Sequence, residues 1–371
     1  MPNTIKIRLS ALAHNLNQVR RLIGPKPRIM GIVKSDAYGH GLIQVSRSLE
    51  KNGIDALGVT FLHEALELRQ NGVRVPVIIL CGIRSREEAD LVVKEDITPM
   101  IFDMSSAEWL SRSAVREAKR VPIHLKLDTG MGRLGLPHVE APAFLRRLME
   151  LEGLYVEGLA SHLSSADSPE SDFTINQIRR FEAAVDMGRS MGLELPLNHL
   201  ANSAGIMAHP DSHFDMVRPG IMLYGGLPSP EFSCPVPLKP VMEFRGRVLQ
   251  VRDLPDRTPV SYGRTYYTQG PQRLAITSAG YADGLHRRIS NKGKALIAGE
   301  KVDMVGAVCM NMILCDITSL QTEVRPGDEV IYIGDSDKGA IFGDDVARWA
   351  ETISYEVFCS IGQKVTKEYI E

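Results

Sequence analysis

A single lysine, Lys34, closes the apolar run 29–33 and precedes segment 35–41, which is rich in small, hydroxylated and glycine residues. Burying a lysine is unfavourable unless the amine has a partner or a function, and desolvation lowers its pKa. Such an amine can form a Schiff base, although a lysine at a strand end can also extend its charged tip into solvent. Because the glycines let backbone approach a ligand and the Tyr38 hydroxyl can donate to a phosphate, the segment favours a covalent cofactor site.

Further polar residues stand at or just after the ends of later apolar runs. They are Lys126, Arg133, His162, Asn202, Ser203, Arg218, Gly220 and Ile221. Hydroxyl, amide and backbone N–H donors cluster after the last two runs, at 202–203 and 220–221, and predict a phosphate site; ordinary turn chemistry would explain the glycine alone. Arg133, in a glycine-rich loop, suits a carboxylate or phenolate, and His162 can serve as a base or a stacking partner. Histidine and carboxylate pairs do not recur at metal-ligand spacing, so we expect no metal.

Eight short β-rich runs alternate with amphipathic segments in the first part of the chain. The runs cover residues 28–34, 55–59, 77–81, 97–102, 123–128, 155–161, 197–201 and 214–218. Helical patterns between them include 42–51 and 64–71, and a leading helix is predicted over 10–23 with Ser10 as its N-cap. No Gly-x-Gly-x-x-Gly turn follows any run, so the pattern predicts a TIM-type (β/α)8 barrel rather than a doubly wound sheet. Barrel chemistry lies at the C-terminal ends of strands, where these polar residues fall.

The sequence pattern changes after residue 225, where turn residues are frequent and strand-like stretches are separated by short connections. These stretches cover residues 244–251, 273–278, 302–308, 312–317 and 329–333, with one predicted helix over 343–352. We therefore expect an α/β barrel domain over residues 1–235, followed by a mainly β domain over residues 236–371.

Composition limits the possible partners. The chain has 371 residues, 44% of them apolar, with a net charge of −2 and a pI near 6.6. This length favours two domains, and the balanced charge argues against nucleic acid or an anionic membrane as a partner. The five cysteines lack CxxC spacing and are interpreted as reduced core residues. No signal-peptide or membrane-length apolar stretch is seen, so we expect a cytoplasmic protein.

Read together, the motifs resemble those of the alanine racemase family over the whole chain. Residues 32–41 match its pyridoxal-phosphate (PLP) attachment motif, and further matches are residues 126–135, 161–162, 217–225, 260–263, 280–284, 309–310 and 352–357. The resemblance implies a barrel followed by a β domain, PLP as cofactor, and a homodimer in which each site is completed by the partner's β domain. It also implies interconversion of L- and D-alanine, with D-alanine supplied for peptidoglycan.

The resemblance assigns two bases on opposite faces of the substrate. Lys34 carries PLP and serves the D-isomer, while Tyr262 of the partner subunit serves the L-isomer. A tyrosine with its free pKa of ~10 is a poor base at neutral pH, so its phenolate needs cationic or hydrogen-bonding neighbours such as Arg133 and His162.

The resemblance also assigns supporting roles. Arg218 faces the pyridine nitrogen with His199 behind it, and Lys126 is a candidate carbamate that orients Arg133. The residues expected to bind phosphate are Tyr38, Ser203, Gly220, Ile221 and Tyr355, with Asn202 and His162 also at the cofactor. Arg133 and the amide of Met310 are expected to hold the substrate carboxylate, with Tyr281 near the substrate side chain.

Two positions depart from the family pattern. Ala307 replaces an arginine that lines the substrate entrance opposite the residue matching Asp167 and near Arg287, and Asn311 replaces an aspartate. We expect a wider entrance in which the charge of Asp167 is less neutralised. The alternative of a racemase of the same fold that acts on serine or on several amino acids therefore stays open. A related barrel decarboxylase is a weaker alternative, because a Tyr262 base and the compact length fit racemisation better. A non-catalytic PLP carrier is weaker still, because it shares the barrel and the lysine but lacks a second domain.

Overall fold

The computed structural model describes residues 2–168, 172–363 and 365–371. Its strands are β1 (Thr4–Arg8), β2 (Arg28–Ile32), β3 (Ala56–Val59), β4 (Val77–Ile79), β5 (Thr98–Ile101), β6 (Val121–Asp128), β7 (Leu136–Pro137), β8 (Leu154–Ala160), β9 (Met216–Val217), β10 (Met242–Leu254), β11 (Pro259–Val260), β12 (Tyr266–Tyr267), β13 (Gln272–Ser278), β14 (Lys294–Ile297), β15 (Glu300–Asp303), β16 (Met312–Asp316), β17 (Glu329–Ser336), β18 (Gly339–Ile341) and β19 (Lys367–Ile370). Its helices are α1 (Leu9–Ile23), α2 (Lys34–Gly39), α3 (Leu42–Lys51), α4 (Leu62–Gln70), α5 (Arg86–Lys94), α6 (Met104–Arg116), α7 (Ala141–Met149), α8 (Asp172–Ser190), α9 (Ser203–Ala208), α10 (Gly343–Ala350) and α11 (Ser354–Gly362).

The barrel closes through parallel pairing. β2, β3, β4, β5, β6 and β8 pair in that order, and β9 pairs back with β2. His199 bridges Ala160 and Met216 and so fills the place of the seventh strand. The predicted (β/α)8 barrel is confirmed, but the run 197–201 is reduced to one residue that forms a bridge on each side. The Asn198 side chain accepts the Leu159 amide over 3.0 Å, which replaces a ladder bond with a side-chain bond.

The second domain is a mainly β unit, as predicted. Its largest sheet has the order β15-β14-β17-β10-β1-β19, and β13 pairs with both β10 and β16. β1 therefore lies in this sheet, antiparallel to β10 and parallel to β19, although the predicted boundary groups it with the barrel. Two helices, α10 and α11, lie in this domain instead of the one predicted.

Helix α1 enters directly from β1. It begins at Leu9 with Arg8 in the N-cap position, so the prediction of Ser10 as the N-cap was wrong. The barrel strands are almost wholly buried, and one hydrophobic core runs from the barrel into the second domain. Within the described residues, every helix is too short or too polar to cross a bilayer.

Candidate active site

A cavity of about 480 Å3 lies at the C-terminal ends of the barrel strands. Eleven of the predicted site residues line it, namely Lys34, Tyr38, Lys126, Arg133, His162, Asn202, Ser203, Arg218, Gly220, Ile221 and Tyr355. Four of these are Lys or Arg, and among the described residues the lining contains no carboxylate. The cavity is thus suited to an anionic ligand.

Lys34 follows β2 after one intervening residue, Val33, and lines the cavity from a partly buried position. Burial and, secondly, the Arg133 charge lower the pKa of its amine. The next four residues, 35–38, all have left-handed backbone angles with φ of 52–55°, and none is a glycine. Such a conformation costs about 1–2 kcal/mol per residue, so this turn must be held by its surroundings.

One end of the cavity forms a cradle of hydroxyl and backbone groups. The Ser203 hydroxyl accepts the amide of Gly220 over 3.0 Å, which fixes the loop after β9. A Cβ at Gly220 would lie 2.5 Å from the Tyr38 hydroxyl, so only glycine leaves room there. Tyr355 lies beside Tyr38, with ring centroids 5.8 Å apart. The Asn202 side chain, by contrast, is already engaged, because it accepts the Gly205 amide as the N-cap of α9 and donates to a backbone carbonyl.

Arg218 is buried in the cavity wall, and both of its Nη atoms are hydrogen-bonded within the protein. Its Nη1 donates to Nδ1 of His199 over 2.7 Å, and its Nη2 lies 3.2 Å from Nδ1 of His162. Burial lowers the pKa of Arg218 to about 10, so it stays charged at neutral pH. Burial and the Arg218 charge hold the pKa of both histidines well below 6.5, so both are neutral and accept from Arg218.

The hydrogen-bond chain behind Arg218 is longer than predicted. Nε2 of His199 lies 2.6 Å from Nδ1 of His124, and Nε2 of His124 lies 3.0 Å from the Glu157 carboxylate. Sequence reasoning found His199 but missed His124 and Glu157. His124 is two residues before Lys126 on the same strand and so on the same face, a signal that was available.

Lys126 is buried among cations. Burial first, and then the Arg218 and Arg133 charges, lower the pKa of its amine to about 7. The loop that carries Arg133 is fixed by the Asp128 carboxylate, which accepts the backbone amides of the three residues 130–132 at 2.8–3.2 Å. The Lys126 amine is therefore about half neutral at pH 7 and lies within reach of the charges of two guanidinium groups.

Tyr355 on α11 lines the cavity, but the other predicted site residues of the second domain lie outside it. Tyr262, Tyr281 and Met310 are 69%, 44% and 56% exposed. Their loops are joined, because the Tyr281 amide donates to the Cys309 carbonyl over 3.1 Å and the Ser261 hydroxyl donates to the Ala307 carbonyl over 2.6 Å. The described residues of one chain therefore do not bring Tyr262 and Lys34 into one cavity.

The predicted entrance residues are dispersed within the single chain. Asp167 lines a separate cavity of about 230 Å3 together with Phe232, and Arg287 is exposed on the second domain. Asn311 is exposed, whereas Ala307 is only 5% exposed. An arginine at position 307 would thus have to displace neighbours within its own domain. The effect of Ala307 on the entrance stays a prediction.

The fold and cavity define a two-domain (β/α)8-barrel enzyme built around a lysine at the end of the first barrel strand. Residues 7–228 match the family model of the alanine racemase N-terminal domain, and residues 241–369 match that of the C-terminal domain. The chain belongs to the alanine racemase family, as its motifs predicted.

Individual relatives match over nearly the whole chain. The alanine racemase of Syntrophobacter fumaroxidans is 40% identical over 365 residues, which cover 98% of this chain and 96% of the relative. The solved alanine racemase from a D-cycloserine producing Streptomyces lavendulae has a TM-score of 0.93 at 30% identity, covering 100% of this chain and 97% of that one. The alanine racemase of Bartonella henselae, solved with covalently bound pyridoxal phosphate, has a TM-score of 0.88 at 30% identity and covers 100% of both chains.

Proposed function

We propose that this chain is a PLP-dependent racemase that interconverts L-alanine and D-alanine. The observation that carries the proposal is the cationic cavity, in which Lys34 of lowered pKa lies beside the hydroxyl and glycine cradle of Tyr38, Ser203 and Gly220. The full-length match to alanine racemases, one of them solved with covalently bound pyridoxal phosphate, supports the same cofactor.

The residues present fit PLP. The Cβ-free space at Gly220 and the hydroxyls of Tyr38, Ser203 and Tyr355 would hold the phosphate, with Ile221 against it. Arg218 would face the pyridine nitrogen, and because it stays charged, it donates a hydrogen bond without giving up its proton. When bound, PLP supplies the electron sink that acidifies the α-proton of an amino acid.

Two bases of the protein then transfer the α-proton, one on each face of the substrate. The Lys34 amine takes or returns the α-proton on one face, and the Tyr262 hydroxyl of the partner subunit does so on the other. Arg133, held by its glycine-rich loop, binds the substrate carboxylate together with the amide of Met310. A carbamate on Lys126 would lie between Arg133 and Arg218 and orient the former, which is consistent with the lowered pKa of the Lys126 amine.

A homodimer completes each site in this proposal. Tyr262, Tyr281, Met310 and Met312 form an exposed cluster on the second domain, at 44–69% exposure. Exposed apolar side chains on loops that contact one another are typical of interaction surfaces. Placing this cluster over the barrel cavity of a second copy brings Tyr262 to Lys34, which a single chain cannot do.

A racemase acting on serine or on several amino acids is the second candidate. The substitution of arginine by Ala307 favours it, because a guanidinium is missing from a position that narrows the entrance in the family pattern. For the first candidate, the product D-alanine would supply peptidoglycan synthesis in the cytoplasm.

Two experiments test the function. Borohydride reduction of the purified protein with PLP should fix the cofactor to the peptide containing Lys34. Label on Lys126, or no visible absorbance band, would contradict the assignment. Separate incubation with L-alanine, L-serine and L-lysine, followed by resolution of the enantiomers, decides the substrate range. Formation of D-alanine alone supports the first candidate, and comparable yields from all three support the second.

A further inference from the structure

The left-handed turn 35–38 is held from the barrel side by two buried residues. Glu64 of α4 accepts the Ser35 amide over 2.7 Å through Oε1, while its Oε2 accepts the Thr60 amide over 2.7 Å. His40 uses Nδ1 to contact the carbonyls of Ala37 and Tyr38, at 3.1 and 3.0 Å. Because both partners are acceptors, Nδ1 of His40 carries the proton. These contacts fix the amide that follows Lys34 and the carbonyls at the end of the turn.

The middle of the turn is held by the other domain. Oδ2 of Asp36 lies 2.8 Å from Nζ of Lys367 on β19, and Oδ1 accepts the Leu42 amide over 2.7 Å at the start of α3. The Lys367 side chain is 17% exposed and the Asp36 side chain 48% exposed, so solvent shields this pair from one side only. Asp36 thus joins the turn, the helix that follows it and the last strand of the second domain.

Two close approaches show how tightly the second domain seats against this segment. A Cβ at Gly41 would lie 1.8 Å from the hydroxyl of Tyr369, which is also on β19. A Cβ at Gly39 would lie 2.3 Å from the Phe358 carbonyl on α11. Both glycines have positive φ, of 100° and 78°. The strained turn is therefore enclosed between the barrel and the C-terminal elements, and Lys34 is the residue directly before it.

We propose that Lys367 and Asp36 are a positioning pair for Lys34: the docking of β19 holds the strained turn and thereby sets where the Lys34 amine meets its cofactor. This inference rests on the proposed function in taking PLP as the group that Lys34 carries. Neither residue touches the cavity, so each acts through the turn.

The test compares Lys367→Met with a matched control, Lys338→Met. Lys338 pairs with Glu300 over 2.8 Å on the same domain but far from the turn in sequence and sheet order. In the cofactor-free protein, hydrogen exchange of the peptide spanning 35–42 should become faster in Lys367→Met and in Asp36→Asn, but not in Lys338→Met. The PLP dissociation constant should rise about fivefold in the first two variants, as expected for a partly shielded pair. Lys367→Arg, which keeps the positive charge, should retain the parental exchange rate and PLP dissociation constant.

Three outcomes are informative. Exchange and cofactor affinity equal to those of the control would overturn the proposal. Faster exchange throughout β19 and β1, with a lowered melting temperature and no selective change at 35–42, would assign Lys367 a role only in docking the strand and would overturn it as well. A chain that never binds PLP would defeat the proposed function, while the exchange measurement on cofactor-free protein would still decide whether the pair holds the turn.

Discussion

Arg218 donates to Nδ1 of His199 over 2.7 Å, and this contact sets the direction of every hydrogen bond behind it. His199 must carry its proton on Nε2 and donate to His124, which in turn donates from Nε2 to the Glu157 carboxylate. Glu157 and His124 line a second cavity with Thr98, near the N-terminal ends of the strands. A cation beneath the active-site cavity is thus linked to a carboxylate at the opposite end of the barrel.

Glu157 should be needed for full activity although it lies far from the cavity. Glu157→Leu removes the terminal acceptor, which leaves the proton of His124 unpaired and loosens the orientation of Arg218. We expect kcat/KM to fall about tenfold, the equivalent of one unsatisfied buried donor. Glu157→Gln retains an acceptor, so its kcat/KM should fall less. Glu150→Leu, on the exposed face of the barrel, should have the kcat/KM of the parent. Equal losses in the Leu and Gln variants at unchanged melting temperature would show that charge, not orientation, matters.

Tyr262→Phe should separate the two directions of the reaction. The variant lacks only the base for the L-isomer, so exchange of the α-proton of L-alanine into deuterated water should be abolished far more than that of D-alanine. NMR of each pure enantiomer measures the two rates. Tyr267→Phe, another exposed tyrosine of the same domain, is the control. Equal exchange losses for both enantiomers in Tyr262→Phe would refute the two-base assignment.

Mixing two inactive variants should restore activity if the site is shared. Lys34→Ala and Tyr262→Phe subunits each lack one base, and a heterodimer of the two carries one intact site. Under statistical exchange of subunits, about half of the dimers are heterodimers, and each heterodimer has one of its two sites intact. We therefore expect activity to recover towards about a quarter of the parental value. Activity is measured after mixing, with exchange verified by mass spectrometry of tagged chains. No recovery despite proven exchange would place both bases in one chain.

Lys126 should carry a carbamate whose formation depends on pH. Carbon dioxide reacts with the neutral amine, and because the pKa of Lys126 is lowered to about 7, the neutral fraction rises as pH increases through that value. The ratio of neutral to charged amine rises about tenfold per pH unit. A 13C carbamate signal from labelled bicarbonate should therefore grow between pH 6 and pH 8. Lys126→Arg should lack the signal and Lys6→Arg should keep it. A signal present in both variants would assign the carbamate elsewhere.

Ala307→Arg tests the entrance. A guanidinium there should narrow the passage and neutralise Asp167, lowering kcat/KM for serine and larger substrates more than for alanine, by roughly 1 kcal/mol or several-fold. Because Ala307 is buried in its own domain, the melting temperature must be measured alongside, with Ala307→Met as a control of similar length. Equal changes in kcat/KM for alanine and for larger substrates would show that position 307 does not set selectivity. Tyr281, Tyr355 and Met310 would then be the next residues to test.

Most of the barrel site could be predicted because one rule, that side chains at the carboxyl ends of barrel strands converge, turns positions in sequence into neighbours in space. Lys34, His162 and Ser203 follow that rule. The spacing from Lys126 places His124 on the same strand face, but its pairing with Glu157 depends on the register between strands, which the sequence pattern did not specify.

Local conformation was harder to predict than location. The turn 35–38 contains no glycine, and Asp36 is its one residue of a type enriched at positive φ. The contacts of Glu64, Asp36 and His40 account for the rest of its conformation. Helix α11 was missed because it begins without a side-chain cap and is rich in β-branched and aromatic residues. The strand β1 was grouped with the barrel because its partners β10 and β19 lie more than 200 residues away.

The pairing of β1 with β19 has a consequence for how the chain assembles during translation. Synthesis proceeds at about 5–20 residues per second, so β1 leaves the ribosome long before either of its neighbours exists. The barrel, whose closing backbone contacts lie at residues 199–219, can form before either partner of β1 has been synthesised. Cofactor loading by a nascent or truncated chain is thereby disfavoured, because the strand that bears Lys367 emerges after every other element of the fold.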